Sequence, residues 1–294
     1  MRASIGPSDP SYPPGLIDIS SPSFRLAGKL PAGPGVAIVG SRTASAEALE
    51  FTRTLAAELA ASGVAIWSGG ALGIDTAAHE GAVEAGKPTV VVLGSGLDCL
   101  YPEENVALFE KVERSGGALL SLFEDDAPAA TAHFLKRNGV LAAATAMTLV
   151  IECDVRSGAR STAARAKRLR RPVGVVLQAP WSGWGAGCYA EYRQGATVIQ
   201  EARDVLDVVA AGQQLSLFSD RAPLHQGPTL TDLERSVVCA VADGSVSLDD
   251  LCQALSLPAA SVCVLVMDLT LRGHLVETSR GLRPGAGTGR TLPP

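Results

Sequence analysis

The sequence is poor in aromatic residues, in paired cysteines and in net positive charge. Phe, Trp and Tyr together make up 4% of the 294 residues, and the six cysteines include no C-x-x-C pair. Cysteines spaced in this way argue against a zinc site or a disulfide framework and are typical of a reducing cytoplasm. The formal net charge of −5 excludes a general nucleic-acid coat. Any contact with DNA must therefore be a local basic patch.

Long apolar runs are also missing. No run approaches the ~20 residues of a membrane span, and the start of the sequence lacks the basic-then-apolar pattern of a signal peptide. We therefore expect a cytoplasmic protein. Hydrophobic residues make up 47% of the chain and charged residues 19%, so the length allows one large domain with a sizeable core and one small domain.

From residue 36 onwards, short apolar runs alternate with glycine-containing loops and with helical patterns such as Ala46–Ser62. The predicted strands are Val36–Val39, Val64–Trp67, Thr89–Leu93, Ala118–Phe123, Thr148–Cys153 and Pro172–Leu177. Continuous apolar strands of this kind indicate a parallel sheet that is covered on both faces. Right-handed crossovers then give an α/β fold with a doubly wound, Rossmann-like sheet.

The composition divides the chain into five parts. We predict an extended N-terminal segment (1–34), a Rossmann-like domain (35–209), a linker (210–229), a winged-helix-like domain (230–284) and a disordered tail (285–294). In the small domain, the predicted elements are helices at Asp232–Ala242, Leu248–Leu255 and Ala259–Arg272, followed by a hairpin.

The small domain is acidic. Between Thr229 and Pro284 there are four arginines and seven acidic residues, and the third predicted helix carries the apolar string SVCVLVMDLTL. A helix of this composition is a core or interface helix and not a reader of a DNA groove. We expect this domain to pack against or bind a protein partner.

Two loops that follow strands could bind an anion. Gly40-Ser41-Arg42 precedes a helix, where backbone N–H groups, the helix dipole and a forked arginine favour phosphate; an ordinary turn with a surface arginine explains it equally well. Gly69, Gly70 and Gly73 allow close backbone approach to a ligand. A tight turn explains one glycine more easily than three.

Other motifs are weaker. Asp75 and His79 share a helix face without a third partner, so we favour capping and structural roles over catalysis or a metal. Gly94-Ser95-Gly96 gives half of a G-x-G-x-x-G fingerprint, and the Walker-like string ending in Pro88 precedes a strand, so NAD or nucleotide binding has little support. A dense basic run is either a phosphate-binding patch or a solvated helix face: Arg156, Arg160, Arg165, Lys167, Arg168, Arg170 and Arg171.

Six strings carry a resemblance when they are taken in order: SYPPGL, VAIVGSRTAS, SGGALGIDTAAHEGAVEAG, GSGLDCLYPEEN, HFLKRN and SGARSTAARA. From about Pro10 to about Val209 the sequence resembles the DprA/Smf family of bacterial DNA-processing proteins. The resemblance implies a dimeric, non-enzymatic module without a cofactor. It further implies that the module protects incoming single-stranded DNA in natural transformation and loads it onto RecA.

The resemblance also assigns site residues. Phe134 would pack against a sugar or base, Arg42 would hold a phosphate, and Arg137 and Asn138 would contact phosphate or base edges. The complete set of predicted nucleic-acid contacts is Gly40, Ser41, Arg42, Ser45, Gly69, Gly70, Gly73, Phe134, Arg137, Asn138, Ser157, Gly158, Arg160, Thr162, Arg165 and Arg168. The chain departs from the family pattern at Thr131, Leu135 and Gly139, and two of these changes remove expected cations.

A short motif in the predicted linker resembles the peptide with which bacterial proteins dock onto the replicative sliding clamp. Its residues are Gln214, Leu215, Leu217 and Phe218. Three apolar anchors in a polar segment suit a preformed pocket, although they could equally pack back onto the large domain.

Two other functions stay open. One is a nucleotide- or nucleoside-hydrolysing protein of a related Rossmann family, similar to lysine decarboxylases. Those proteins carry a PGGxGTxxE loop with a catalytic glutamate, and no such string occurs here. The other is a nucleotide-sensing module built on the SGGALGID loop.

Overall fold

The computed structural model describes residues 2–19, 23–179, 182–219, 232–242, 247–255, 257–258, 275–278 and 281–284, together with Val262, Leu265, Val266 and Leu269. The chain forms two compact units, Met1–Ser216 and Leu217–Pro294.

The large unit is built on a nine-stranded sheet. Its strands are β1 (Arg2–Ile5), β2 (Phe24–Gly28), β3 (Gly35–Gly40), β4 (Ala65–Ser68), β5 (Thr89–Leu93), β6 (Ala118–Ser121), β7 (Met147–Ile151), β8 (Val173–Val176) and β9 (Thr197–Val198). Their order is β1-β2-β6-β5-β4-β3-β7-β8-β9. Strands β3 to β9 are parallel to one another, whereas β2 pairs antiparallel with β6 and β1 pairs antiparallel with β2. The predicted doubly wound α/β sheet is confirmed.

Helices cover both faces of this sheet. They are α1 (Ala46–Ala61), α2 (Ile74–Glu84), α3 (Val106–Arg114), α4 (Thr131–Ala144), α5 (Gly158–Arg168), α6 (Ala186–Tyr192) and α7 (Ala202–Ser219). Alternate residues of one strand point to opposite layers: Ile38 packs with α1 and α2, whereas Val39 packs with α4 and α5. Because both faces are buried, the strands are apolar at nearly every position.

The N-terminal segment differs from the prediction for residues 1–34. It is part of the domain, since it supplies β1, β2 and a short 3-10 helix at Pro14–Ile19. Leu16 and Phe24 are completely buried, and the Phe24 ring lies 5.6 Å from that of Tyr12. The prolines obscured this role because they interrupt the periodicity that identifies a strand or helix.

The predicted linker differs as well. Helix α7 continues to Ser219, so the first half of 210–229 is helical. Alanine, glutamine and leucine are strong helix formers, and the single Gly212 costs only ~1 kcal/mol. The backbone of Gln214–Phe218 is therefore helical. Docking of this segment onto a sliding clamp stays a prediction, and residues 220–231 lie outside the described residues.

The small unit contains α8 (Asp232–Ala242), α9 (Leu248–Leu255) and a hairpin of β10 (Leu275–Thr278) and β11 (Gly281–Pro284). Its core joins the helices to the hairpin through side chains such as Val237, Leu251 and Leu282. Most of the third predicted helix, and the whole of the predicted tail at 285–294, lie outside the described residues. Among the residues that the structure describes, no helix has the length and apolar character needed to span a membrane.

The burial of the N-terminal segment predicts a stability difference between two neighbours. Leu16 is fully buried, and Ile17 is 60% exposed. Truncation of a buried leucine to alanine removes about 2–5 kcal/mol from the free energy of unfolding, whereas a surface change stays within about 0.5 kcal/mol. We expect urea denaturation to give this contrast between Leu16→Ala and Ile17→Ala. Equal stability of the two variants would mean that the segment is detached from the core.

Candidate functional site

A cleft of about 610 Å³ opens at the carboxyl ends of β3 and β7. These strands are neighbours, but β4, β5 and β6 lie beyond β3 while β8 and β9 lie beyond β7. Ligands of open α/β sheets bind at such a reversal of strand order. The walls come from the loops after β3, β4, β5 and β7 and from the first halves of α4 and α5.

Arg42 supplies the exposed cation of the loop after β3. The backbone of this loop is bonded internally, because the Ser41 N–H donates to the carbonyl oxygen of Glu152 (2.7 Å) and the Ser41 carbonyl accepts from the Ile74 N–H (3.1 Å). The Arg42 Cζ lies 5.6 Å from the centre of the Phe134 ring, which is a cation–π contact. The contact holds a positive charge over the mouth of the cleft.

Glu152 occupies the positive end of α1. The N–H and Oγ of Ser45 donate to its two carboxylate oxygens (2.6 and 2.7 Å), and Ser45 Oγ accepts from the Ala48 N–H. Glu152 is buried and has a backbone φ of 50°. The sequence predicted that the amino end of α1 attracts a phosphate. In the structure, an internal carboxylate already occupies this helix end. Ser45 is a helix cap, and its contact with DNA stays a prediction.

The three glycines of the loop after β4 are needed for internal packing. A Cβ on Gly69 would lie 1.3 Å from the Arg137 guanidinium, and one on Gly70 would lie 2.8 Å from the Phe109 ring. Gly73, with a φ of 80°, would meet the carbonyl oxygen of Ser41 at 2.3 Å. These glycines let other groups of the protein pack closely against the loop. The sequence had instead suggested the close approach of a ligand.

Asp75 and Arg137 lie buried beneath the cleft. The Asp75 carboxylate accepts hydrogen bonds from the N–H groups of Gly69 (3.1 Å) and Ala71 (3.3 Å), and Arg137 donates to the carbonyl oxygen of Val92 (3.0 Å). Burial raises the pKa of Asp75, and the positive charge of Arg137 opposes this shift. Arg137 lines the cleft floor but is only 5% exposed.

His79 has a structural role. It is completely buried, and its Nδ1 lies 2.9 Å from Thr89 Oγ1, which itself donates to the carbonyl of Ile66. Because the threonine proton is already used, the hydrogen bond requires the proton to be on Nδ1. Burial lowers the pKa of His79 to about 3. Asp75 also has a structural role, but it binds N–H groups of the preceding loop and does not cap its helix, whose N-cap residue is Gly73.

Aromatic side chains form one wall of the cleft. Phe134 lies on α4 and lines the cleft as predicted, and Tyr101, from the loop after β5, has its ring centre 5.8 Å away at an interplanar angle of 47°. Tyr101 is 46% exposed. Tyr101 lies in the string GSGLDCLYPEEN, and the sequence alone assigned no role to it. The signal was available, since aromatic residues are rare in this chain.

The opposite wall is the first turn of α5. Ser157 caps this helix by accepting from the Ala159 N–H, and Asn138 donates to the carbonyl oxygen of Gly158 (3.3 Å). Ser157, Gly158 and the buried Thr162 all line the cleft, as predicted. Gly158 is exposed, so the amino end of α5 is open to an anion. Asp154, also exposed, was not anticipated at this wall.

The basic run divides between two roles. Arg160 and Lys167 bind the two carboxylate oxygens of buried Glu191 on α6 (2.7 and 2.6 Å), so both lie away from the cleft. Arg168 is exposed. Arg160 is thus a partner of a buried carboxylate, which needs a cation beside it, and its contact with DNA stays a prediction.

Gly139 leaves space that an arginine from the next helix takes. The Arg165 guanidinium lies 3.2 Å from the position that a Cβ at Gly139 would occupy. Thr131 and Leu135, the other departures from the family pattern, line the cleft with exposed side chains. The Arg165 guanidinium thus packs where a side chain at position 139 would begin, but it is not part of the cleft lining.

The loop after β5 binds the protein and not a dinucleotide-like ligand. Gly94 packs against the Phe134 ring, and Gly96 packs against the carbonyl oxygens of Glu124 and Asp125. Close packing explains both glycines of the partial fingerprint. Among the described residues, no cluster of three or more His, Cys, Asp or Glu side chains is placed to hold a metal ion.

Comparison with known proteins assigns the family. The family model described as "DNA recombination-mediator protein A" matches residues 3–210, and the one described as "DprA winged helix domain" matches residues 221–279. The chain belongs to the DNA recombination-mediator protein A family. The resemblance inferred from the loop motifs is confirmed, and the C-terminal domain is a winged helix.

Two curated relatives show how similar the chain is to other members of the family. The putative DNA processing protein DprA of Mycobacterium tuberculosis is 35% identical over 256 residues, which cover 85% of this chain and 65% of that protein. Protein Smf of Synechocystis is 31% identical over 315 residues, covering 95% of this chain and 79% of the relative. The chain thus spans about two thirds of the length of the mycobacterial protein.

Two solved structures share the fold. DNA processing protein A of Streptococcus pneumoniae matches with a TM-score of 0.64 and 30% identity, over 70% of this chain and 73% of that one. The Helicobacter pylori protein, whose structure describes its single-stranded DNA binding mode, matches with a TM-score of 0.63 and 26% identity, over 72% and 96% of the two chains.

The buried state of His79 predicts a pH dependence of stability. Between pH 6.5 and about 3, the unfolded chain protonates this histidine and the folded chain does not. The free energy of unfolding therefore falls as the pH falls, by up to about 1.4 kcal/mol per pH unit. Urea denaturation from pH 7 to 5 should show a steeper loss for the wild type than for His79→Gln. Nitrogen NMR at pH 5 should show a neutral imidazole with its proton on Nδ1; an imidazolium signal would contradict the assignment.

Proposed function

We propose that the chain holds single-stranded DNA in the cleft and delivers it to a RecA-type recombinase. The observation that carries this proposal is the combination of exposed Arg42, two aromatic rings and the open first turn of α5 around one cleft. A local grip of this kind suits a chain with a net charge of −5. Membership of the family and the single-stranded DNA binding of the Helicobacter pylori relative support the same function.

The aromatic wall favours single strands over duplex. Ring faces stack on bases only when those bases are unpaired, and this stacking tolerates any sequence. Duplex recognition instead places a helix or ribbon in a groove. The cleft is a concave surface with the exposed ring of Tyr101 on its wall, which suits an unpaired strand.

We propose that the site binds DNA without catalysing a reaction and without a cofactor. A hydrolase would need a carboxylate that is free to activate water. Asp75 accepts two backbone N–H groups, and Glu152 accepts from Ser45. Both buried carboxylates are thus engaged in structure, which leaves the nucleotide-hydrolase alternative with the exposed carboxylate of Asp154 at the cleft wall.

The family resemblance extends the proposal to a cellular role. A cytoplasmic homodimer would protect incoming single strands in natural transformation, and the acidic winged helix would contact proteins. Nine of the predicted DNA contacts line the cleft: Gly40, Ser41, Arg42, Phe134, Arg137, Asn138, Ser157, Gly158 and Thr162.

Arg42 provides the sharpest test of DNA binding. Loss of a charge-assisted hydrogen bond costs about 1.5–3 kcal/mol, so we expect Arg42→Ala to weaken single-strand binding about 10- to 100-fold. The matched control is Arg114→Ala, an exposed arginine on α3 that pairs with Glu110; its affinity should stay within about twofold. Fluorescence anisotropy with a labelled oligothymidylate and a duplex of equal length, at two salt concentrations, measures both.

The wild type should prefer the single strand, and its affinity should fall with salt. The salt slope should decrease by about 0.7 in Arg42→Ala, as for one lost phosphate contact. Absent or salt-independent binding would overturn the proposal, and turnover of nucleotides by the wild type would favour the hydrolase instead.

Delivery to a recombinase is tested separately. RecA nucleates slowly on a strand that is coated with single-strand-binding protein, and a mediator shortens this delay. We expect the wild type and Arg114→Ala to accelerate RecA ATP hydrolysis on coated DNA, and Arg42→Ala to lose most of this effect. DNA binding without acceleration would leave a DNA-holding protein that is not a mediator.

A further inference from the structure

Phe134 is already covered by the protein. A Cβ on Gly94 would lie 2.3 Å from Phe134 Cδ1 and 2.6 Å from Cε1, so the ring rests on the backbone of the loop after β5. The Arg42 guanidinium carbon lies 5.6 Å from the ring centre. With the glycine backbone and the arginine both packed against it, this ring offers little surface to a DNA base.

Tyr101 is the exposed ring of the same wall. It is 46% exposed, whereas Phe134 is half-buried. It lines both the main cleft and a narrow crevice beside Leu72, itself 39% exposed. Tyr101 and Leu72 together form an apolar rim next to the Arg42 cation.

The segment after Tyr101 is firmly anchored. Pro102 is buried, and a short 3-10 helix at Glu103–Asn105 follows it. The Asn105 side chain donates to the carbonyl oxygen of Gly70 (2.9 Å) and to Thr76 Oγ1 (2.8 Å). A ring held from an anchored turn loses little conformational entropy when a base stacks on it.

We propose that Tyr101 carries the base-stacking contact of the cleft and that Phe134 positions Arg42. This assignment rests on the proposed binding of single-stranded DNA and adds a division of labour to it. Arg42 takes the phosphate, Tyr101 takes an unpaired base, and Phe134 acts only through Arg42. Stacking uses the ring and not the hydroxyl, so phenylalanine can replace Tyr101.

Abasic DNA separates stacking from phosphate contacts. The probes are an oligothymidylate and an oligonucleotide of equal length whose central nucleotides are abasic tetrahydrofuran units. The variants are Tyr101→Leu, Tyr101→Phe and Phe134→Leu, each checked for a wild-type thermal unfolding profile. Kd is measured for every pair of protein and probe.

Removal of a stacked base changes Kd about 5- to 150-fold. We expect Tyr101→Leu to lose this factor on the base-containing probe and to equal the wild type on the abasic probe. Tyr101→Phe should bind both probes as the wild type does. Phe134→Leu should raise the Kd equally for the base-containing and the abasic probe, because it releases Arg42 and removes no stacking surface.

Four outcomes would overturn the assignment. Equal loss on both probes in Tyr101→Leu would mean that the residue acts through structure, and a base-dependent loss in Phe134→Leu would return the stacking role to that ring. Wild-type protein that binds neither probe would overturn the proposed function itself, and the assignment with it. Wild-type binding with an unaffected Tyr101→Leu would overturn the assignment alone.

Discussion

Asp75 and Arg137 lie beneath the cleft and connect the segments that form it. The carboxylate fixes the glycine loop after β4 through the N–H groups of Gly69 and Ala71, and the guanidinium lies against Gly69 and reaches the end of β5. A buried charge is tolerated only with such partners. Phe134 is one turn before Arg137 on α4, so the aromatic wall stands on the same helix as this buried cation. The cleft floor is therefore part of the domain core.

Glu152 affects which helix end an anion can reach. Rossmann-like domains commonly bind a phosphate at the amino end of the helix that follows the first parallel strand, which is α1 after β3 in this chain. Here the carboxylate of Glu152, which follows β7, caps that helix through Ser45. The open helix end is that of α5, on the other side of the reversal point. Arg42 lines the cleft and is the exposed cation of the first loop.

The periodicity of the chain was sufficient to predict the parallel sheet, its alternation with helices and the ends of the strands at which the cleft lies. Burial and pairing were not predictable in the same way. The glycines at 69, 70 and 73 indicated a close approach, but only the structure identifies Arg137, Phe109 and the Ser41 carbonyl as the partners. Arg160 and Lys167 appeared to be free cations, since Glu191 is more than twenty residues away. The strands β1 and β2 escaped detection because prolines surround them.

The packing of Gly69 against Arg137 has a kinetic consequence. A cleft floor that is already formed in the folded protein needs no rearrangement when a ligand binds. The conformational entropy lost on binding would then come mainly from a flexible single-stranded ligand. Association would then be limited by the first encounter at the rim and not by a slow opening of the protein. The rate constant of association would accordingly depend on ionic strength through Arg42, while the residence time would reflect how well the strand fits a surface that does not move.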